Sequence, residues 1–317
     1  MPAVGLLDRL LDKSIVFSFD RTGYRRHAKG FEPGDLDVDL AGRVCLVTGA
    51  SSGLGVEVVR GLAGRGATVH MLCRNVEKGE RVRDALVGEV RGPLVVDRVD
   101  LSDFASIRRF VDALDVAAID VLVHNAGVLP AERQTTPDGL ELTAATNLVG
   151  PFLLSHLLWP RLKRDARLVH VSSGGMYSEP LDVAKLLDPP APFDGVRAYA
   201  QTKRAQVVLA ELLDARSPLR VSSMHPGWAD TPGVETSLPR FHTLTKPILR
   251  TPAQGADTIV WLAASPAAAE PGGRFYFDRA PRETHLSAKT RERPEERERF
   301  WVTLCELVGA DPEEDFR

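Results

Sequence analysis

Short apolar runs and longer stretches of helical periodicity take turns along most of this chain. Gly42–Thr48 (GRVCLVT), Thr68–Cys73 (TVHMLC), Leu94–Val99, Asp120–Val123, Leu168–Val171, Leu219–Met224 and Arg274–Phe277 (RFYF) are short and rich in β-branched or aromatic residues, and they predict strands. Helical spacing of apolar positions begins at Val56. It recurs over Ser102–Leu114, Asp138–Leu158, the run VVLAELL from Val207, and Thr251–Ala264, where Pro252 falls in a first turn.

The pattern loosens at the ends and in two inner segments. Gly5–Phe19 carries Leu6, Leu7, Leu10, Leu11 and Ile15, an apolar stripe at helical spacing. It predicts a helix packed on the main domain or on a second subunit. With Lys13, Arg21, Arg25, Arg26 and Lys29 close by, peripheral contact with an anionic membrane surface is the sharper alternative. Residues 1–40 are read as an extension, and its removal up to residue 36 is expected to leave cofactor binding intact. Gly174–Val196 holds Pro180, Pro189, Pro190 and Pro192, which exclude regular helix and predict an ordered loop. Met176, Tyr177 and Phe193 are candidates for an apolar pocket there, or for plain packing. Residues 233–250 lack a strong pattern and are read as a mobile lid. Residues 281–317 are strongly charged, with a helix over Glu295–Val308 whose Phe300, Trp301, Leu304 and Leu307 dock on the same chain or on a partner.

Composition adds little except exclusions. Of 317 residues, 44% are hydrophobic, ordinary for a globular protein, and a formal net charge of −3 gives no reason to expect nucleic acid. Cys45, Cys73 and Cys305 form no close pair and no metal-ligand spacing, so no metal is expected. Cys45 and Cys73 lie in apolar runs and read as buried free thiols, which fits a reducing, cytoplasmic setting. No apolar run is read as approaching the ~20 residues that cross a bilayer.

Chemistry enters at Gly49-Ala50-Ser51-Ser52-Gly53-Leu54-Gly55, between the first strand and a helix. Glycines let backbone approach a ligand, and a helix amino terminus favours negative charge, so this order makes a phosphate site. In a dinucleotide fold, an acidic residue about ~20 positions onward binds the ribose of NAD. Arg74 stands at the second strand's end instead, and a guanidinium can pair with a 2′-phosphate, which favours NADP(H) over NAD(H). Asp100 and Leu101 follow the third strand, and Asn125-Ala126-Gly127 the fourth. Small residues there would let a flat cofactor approach the backbone, because ligands of open α/β sheets sit beyond the strands' carboxyl ends.

Tyr199 and Lys203 are four residues apart, which on a helix puts both on one face. A nearby cation lowers a phenol's pKa from about 10 and suits it to pass a proton to or from an oxygen. Ser173, at the end of RLVHVSS, can hold the same oxygen. Asn147 lies among Leu148, Val149, Phe152 and Leu153 and so needs a buried hydrogen-bonding task.

In order, Thr48-Gly49-x-x-x-Gly53-x-Gly55, Asp100, Asn125-Ala126-Gly127, Asn147, Ser173, Tyr199-x-x-x-Lys203 and Pro226-Gly227 resemble the short-chain dehydrogenase/reductase family over residues 41–280. Val171–Met176, Tyr199–Gln206 and Ser222–Val234 are most similar to its dehydrogenase/reductase member 12 group. The resemblance implies an α/β fold, one doubly wound parallel sheet with helices on both faces. It implies an NADP(H)-dependent oxidoreductase acting on a small carbonyl or alcohol, with an apolar substrate suggested by the loop after Ser173. Tyr199 would be the acid/base residue. Lys203 would lower its pKa and bind the nicotinamide ribose, and Ser173 would position the substrate oxygen. Asn147 would hold a water that relays protons to Lys203. Ser51, Ser52, Leu54, Pro226, Gly227 and Thr231 would join the cofactor site, and Trp228 would touch substrate. His124 stands where the family often has asparagine, and Ser173 and Tyr199 are 26 residues apart, a longer insertion than usual. His225 reads as structural. A cofactor-binding regulator without turnover, an epimerase or dehydratase, and a homo-oligomer stay open from the sequence.

Overall fold

Alternation along the strands sets the layers. In the computed structural model of the chain, residues 11–12, 14–268, 272–313 and 316 are described. Strands β1 (Val44–Thr48), β2 (Thr68–Cys73), β3 (Leu94–Arg98), β4 (Ile119–His124), β5 (Leu162–Val171), β6 (Arg220–Met224), β7 (Arg274–Phe277) and β8 (Ala280–Pro281) form one sheet. Its order is β3-β2-β1-β4-β5-β6-β7-β8, parallel except for the last pair. Leu46, Leu122, Leu168 and Val221 face one layer, and Cys45, Val47, Val69, Val123 and Val171 the other.

The helices are α1 (Ile15–Phe19), α2 (Arg21–His27), α3 (Leu54–Gly64), α4 (Val76–Leu86), α5 (Phe104–Ala113), α6 (Gly150–Leu158), α7 (Val183–Leu187), α8 (Gly195–Arg216), α9 (Pro232–Ser237), α10 (Pro239–Thr245), α11 (Pro252–Ala264) and α12 (Pro294–Val308). Apolar residues of α5, α6, α8 and α12 cover the first face of the sheet, and those of α3, α4 and α11 the second. The expected doubly wound arrangement is therefore present. Strand order reverses between β1 and β4, where such sheets leave a crevice.

Several local expectations change. The helix expected over 138–158 is interrupted: an α-turn at Leu142–Ala144 runs into a π-turn at Ala145–Val149 before α6. The stretch Leu142–Arg161 is long and apolar enough to span a bilayer by length and composition, contrary to the sequence reading. It is 78% buried within the protein, so its apolar character serves the core. The proline-rich loop does contain regular helix, because Asp182 caps the short α7 by accepting the Lys185 N–H. Residues 233–250 are mostly helical, with prolines opening α9 and α10.

Both ends are knitted into the body. The expected helix over Gly5–Phe19 falls partly outside the described residues. Within it, α1 ends at Phe19, and the carboxylate of the next residue, Asp20, caps α2 through the Gly23 N–H. Arg250, fully buried, donates to the carbonyls of Ser18, Phe19 and Asp20 and pairs with Asp278. At the other end, α12 docks on its own chain, burying Phe300, Trp301, Leu304 and Cys305 near Phe152. Just ahead of it, Glu292 meets Arg204 of α8, both fully buried. All three cysteines are buried, and no disulfide joins them.

Candidate active site

Gly49 and Gly53 have φ of 67° and 55°, a region that favours glycine. A Cβ on Gly49 would come within 2.9 Å of the Ala126 backbone. Gly55 acts differently. A Cβ there would lie 2.2 Å from the Gly49 carbonyl oxygen, so this glycine lets α3 start tight against the turn. No side chain caps α3, which leaves its first N–H groups for an anion. Thr48 and Asn125 lock the floor: Thr48 Oγ1 accepts the N–H groups of Asn125 and Ala126, and Asn125 Nδ2 donates to the carbonyls of Thr48 and Gly49.

Beyond the ends of β1 to β4 lies a cavity of about 370 Å³. Gly49, Ser51, Ser52, Gly53, Leu54, Arg74, Asp100, Leu101, Asn125, Ala126, Gly127 and Thr231 line it, all named from the sequence. Asp100 also accepts from the Ser102 N–H and hydroxyl. Gly55, Pro226, Gly227, Tyr199 and Lys203, also named for the cofactor, do not line the cavity. Gly227 has φ of 75° and a Cβ there would meet Arg250 Nε at 2.3 Å, while the Pro226 carbonyl accepts from Arg250. That turn is shaped around a buried guanidinium. Sequence reading missed Asn75, Lys78, Val128, Thr146 and others in the wall. Lys78 had a signal, since it stands four residues after Arg74.

Helix α8 presents Tyr199 and Lys203 together, and Ser173 follows β5. Burial raises the Tyr199 phenol above its ordinary value, and the nearby Ser173 side chain works against that rise. The Lys203 ammonium lies over the Tyr199 ring, 5.3 Å from its centroid. Lys203 is 3% exposed and burial pushes it down to about 7. Its Nζ donates to the Val171 carbonyl at 2.7 Å and to Gln206 Oε1 at 3.0 Å. A Cβ on Gly127 would sit 3.5 Å from both Lys203 Nζ and Asn147 Oδ1. Gly127 is thus a shared wall between the cavity and this polar cluster.

Asn147 is fully engaged in the π-turn. Its Oδ1 accepts the Val128 N–H, and its Nδ2 donates to the Val128 carbonyl and Thr202 Oγ1. The Gln206 carboxamide bridges Lys203 Nζ and the Asn147 carbonyl. Ser172 Oγ donates to the Lys203 carbonyl.

The substrate-side expectations divide. Met176 is fully buried against Val207 and Phe275, and the Tyr177 hydroxyl donates to the Glu283 carbonyl, so both pack the loop. Phe193 is half-buried, close to Gly195. Trp228 donates its N–H to the Phe19 carbonyl and sets its ring against Phe19 and Phe241. His225 is structural: its Nδ1 accepts the Gly174 N–H, its ring stacks on Phe277, and burial pushes it down to about 3. His124 pairs with Ser155 and lies 5.0 Å from the His170 ring.

Comparison with known proteins agrees with this geometry. A family model described as short chain dehydrogenase matches residues 43–184. The chain is 43% identical over 297 residues to dehydrogenase/reductase SDR family member 12 of Homo sapiens, covering 92% of this chain and 94% of that protein. It is 34% identical to retinol dehydrogenase 12 of Bos taurus, covering 86% and 88%. Among solved structures, an uncharacterised protein from Mycobacterium Paratuberculosis superposes with a TM-score of 0.70 at 29% identity, covering 86% of this chain and 96% of that one.

Proposed function

The chain belongs to the short-chain dehydrogenase/reductase family, and from that premise we propose an NADP(H)-dependent oxidoreductase that interconverts a carbonyl and an alcohol, with Tyr199 as acid/base residue. The observation that carries this reading is the place of Lys203 beside the cavity: a Cβ on the lining residue Gly127 would sit 3.5 Å from its Nζ, and its ammonium lies over the Tyr199 ring. The residues present fit a dinucleotide: an uncapped helix start for phosphate, small residues at Ala126 and Gly127, and two cations, Arg74 after β2 and Lys78 in the first turn of α4.

When bound, the nicotinamide supplies or accepts hydride. The protein's own groups handle the oxygen and its proton. In reduction the Tyr199 hydroxyl gives its proton to the carbonyl oxygen, and in oxidation the phenolate takes one from the alcohol. Ser173 Oγ holds that oxygen. A charged Lys203 favours the phenolate that forms when Tyr199 gives up its proton, and it faces the cofactor side through Gly127. The retinol dehydrogenase relatives carry the name of an apolar alcohol, which supports an apolar substrate here.

Tyr199→Phe removes the proton donor without changing the ring. We expect it to cut NADPH-dependent turnover on a carbonyl panel by roughly 10²-fold or more, with NADPH binding retained. Full activity in this variant would refute the assignment.

A further inference from the structure

We propose that Gln206 is a positioning residue for Lys203, its carboxamide bridging the ammonium to the Asn147 carbonyl and holding the cation at the cofactor wall. The inference rests on the reading of Tyr199 and Lys203 given above and deepens it. Gln206 is 1% exposed, one turn after Lys203 on α8. Its Oε1 accepts from Lys203 Nζ at 3.0 Å, and its Nε2 donates to the Asn147 carbonyl at 2.6 Å. That carbonyl belongs to the π-turn, an element often found at functional sites.

The bridge has two chemical effects. Donating through Nε2 makes Oε1 a better acceptor, because linked hydrogen bonds polarise one another. An acceptor aimed at the ammonium favours its charged form, against the burial that disfavours it. An amide also differs from a water or hydroxyl, since it holds a proton donor in place without handing the proton on. The groups that face Lys203 from packed elements are few. Tyr199 lies on its own helix. His170 on β5 is held neutral, pushed down to about 3 by burial and by the Lys203 charge. The π-turn and the Gly127 segment contribute no titratable side chain at this contact.

The test titrates Lys203 in the cofactor-free protein by lysine-selective 13C NMR, with the resonance identified by its loss in Lys203→Met. Gln206→Met keeps the length and removes the acceptor. It is expected to lower the Lys203 midpoint by about one pH unit or more. Gln206→Leu serves if the methionine variant does not fold. Gln206→Glu is expected to move the midpoint upward. In turnover assays the alkaline limb should move in the same directions, because activity is lost as Lys203 deprotonates. An unchanged Lys203 midpoint in Gln206→Met or Gln206→Leu would overturn the proposal. This outcome is separate from the Tyr199→Phe result, since the titration needs neither cofactor nor substrate.

Discussion

Arg74 and Lys78 are exposed side chains at one edge of the cavity, four residues apart. Among the described residues only Asp100 brings a carboxylate to that wall, and it is tied to Ser102. Each cation removed should weaken NADPH binding by roughly ten-fold, the scale of one charge-assisted hydrogen bond at a solvated site, and leave NADH binding nearly unchanged. Titration calorimetry of Arg74→Ala and Lys78→Ala with both cofactors measures this, and equal losses for the two would speak for NAD(H). At this scale the glycines, Asn147, Ser173, Tyr199 and Lys203 were legible, because their types and spacing are unusual. The buried polar residues Arg204, Gln206 and Arg250 were not. A polar side chain on a helix reads as solvated unless its partners are known. Arg204 finds Glu292 only 88 positions later.

The seven main strands and their alternation with helices were legible because apolar runs of that length have one use. The π-turn, α7 and the long start of β5 were not. Leu162–Arg167 is mostly polar, and its place in the sheet comes from tertiary pairing with β4 and β6. The segment α1–α2 packs on the main domain, one of the two placements expected for the amino-terminal stretch: its carbonyls satisfy Arg250, and the Phe19 ring lies so close to Gly174 that a Cβ there would come within 2.6 Å of it. Gly174 directly follows Ser173. Deleting residues 1–31 should therefore cost about 3 kcal/mol or more, because it strips partners from a buried guanidinium. Chemical denaturation reads that loss, and an unchanged midpoint would show that the strap is dispensable. Phe19→Ala, a milder change, should lower kcat more than it weakens NADPH binding.

Across the whole molecule, His124, His170 and His225 are buried and held below the ordinary imidazole value of 6.5, the last two to about 3. Unfolded, these rings take up protons near 6.5; folded, they refuse them. Stability is thus fully present above 6.5 and falls as pH drops from 6.5 toward 3. Melting temperature against pH should show this slope, and it should shallow in His170→Leu. The buried Arg204–Glu292 pair carries a different consequence. A ribosome delivers the chain from its amino end, so the helix bearing Tyr199 and Lys203 emerges long before the carboxylate that neutralises its guanidinium. Until Glu292 has been made and docked, nascent protein holds an unmatched cation on α8. Translation arrest anywhere between the two residues would leave a product that proteases can tell from the finished enzyme.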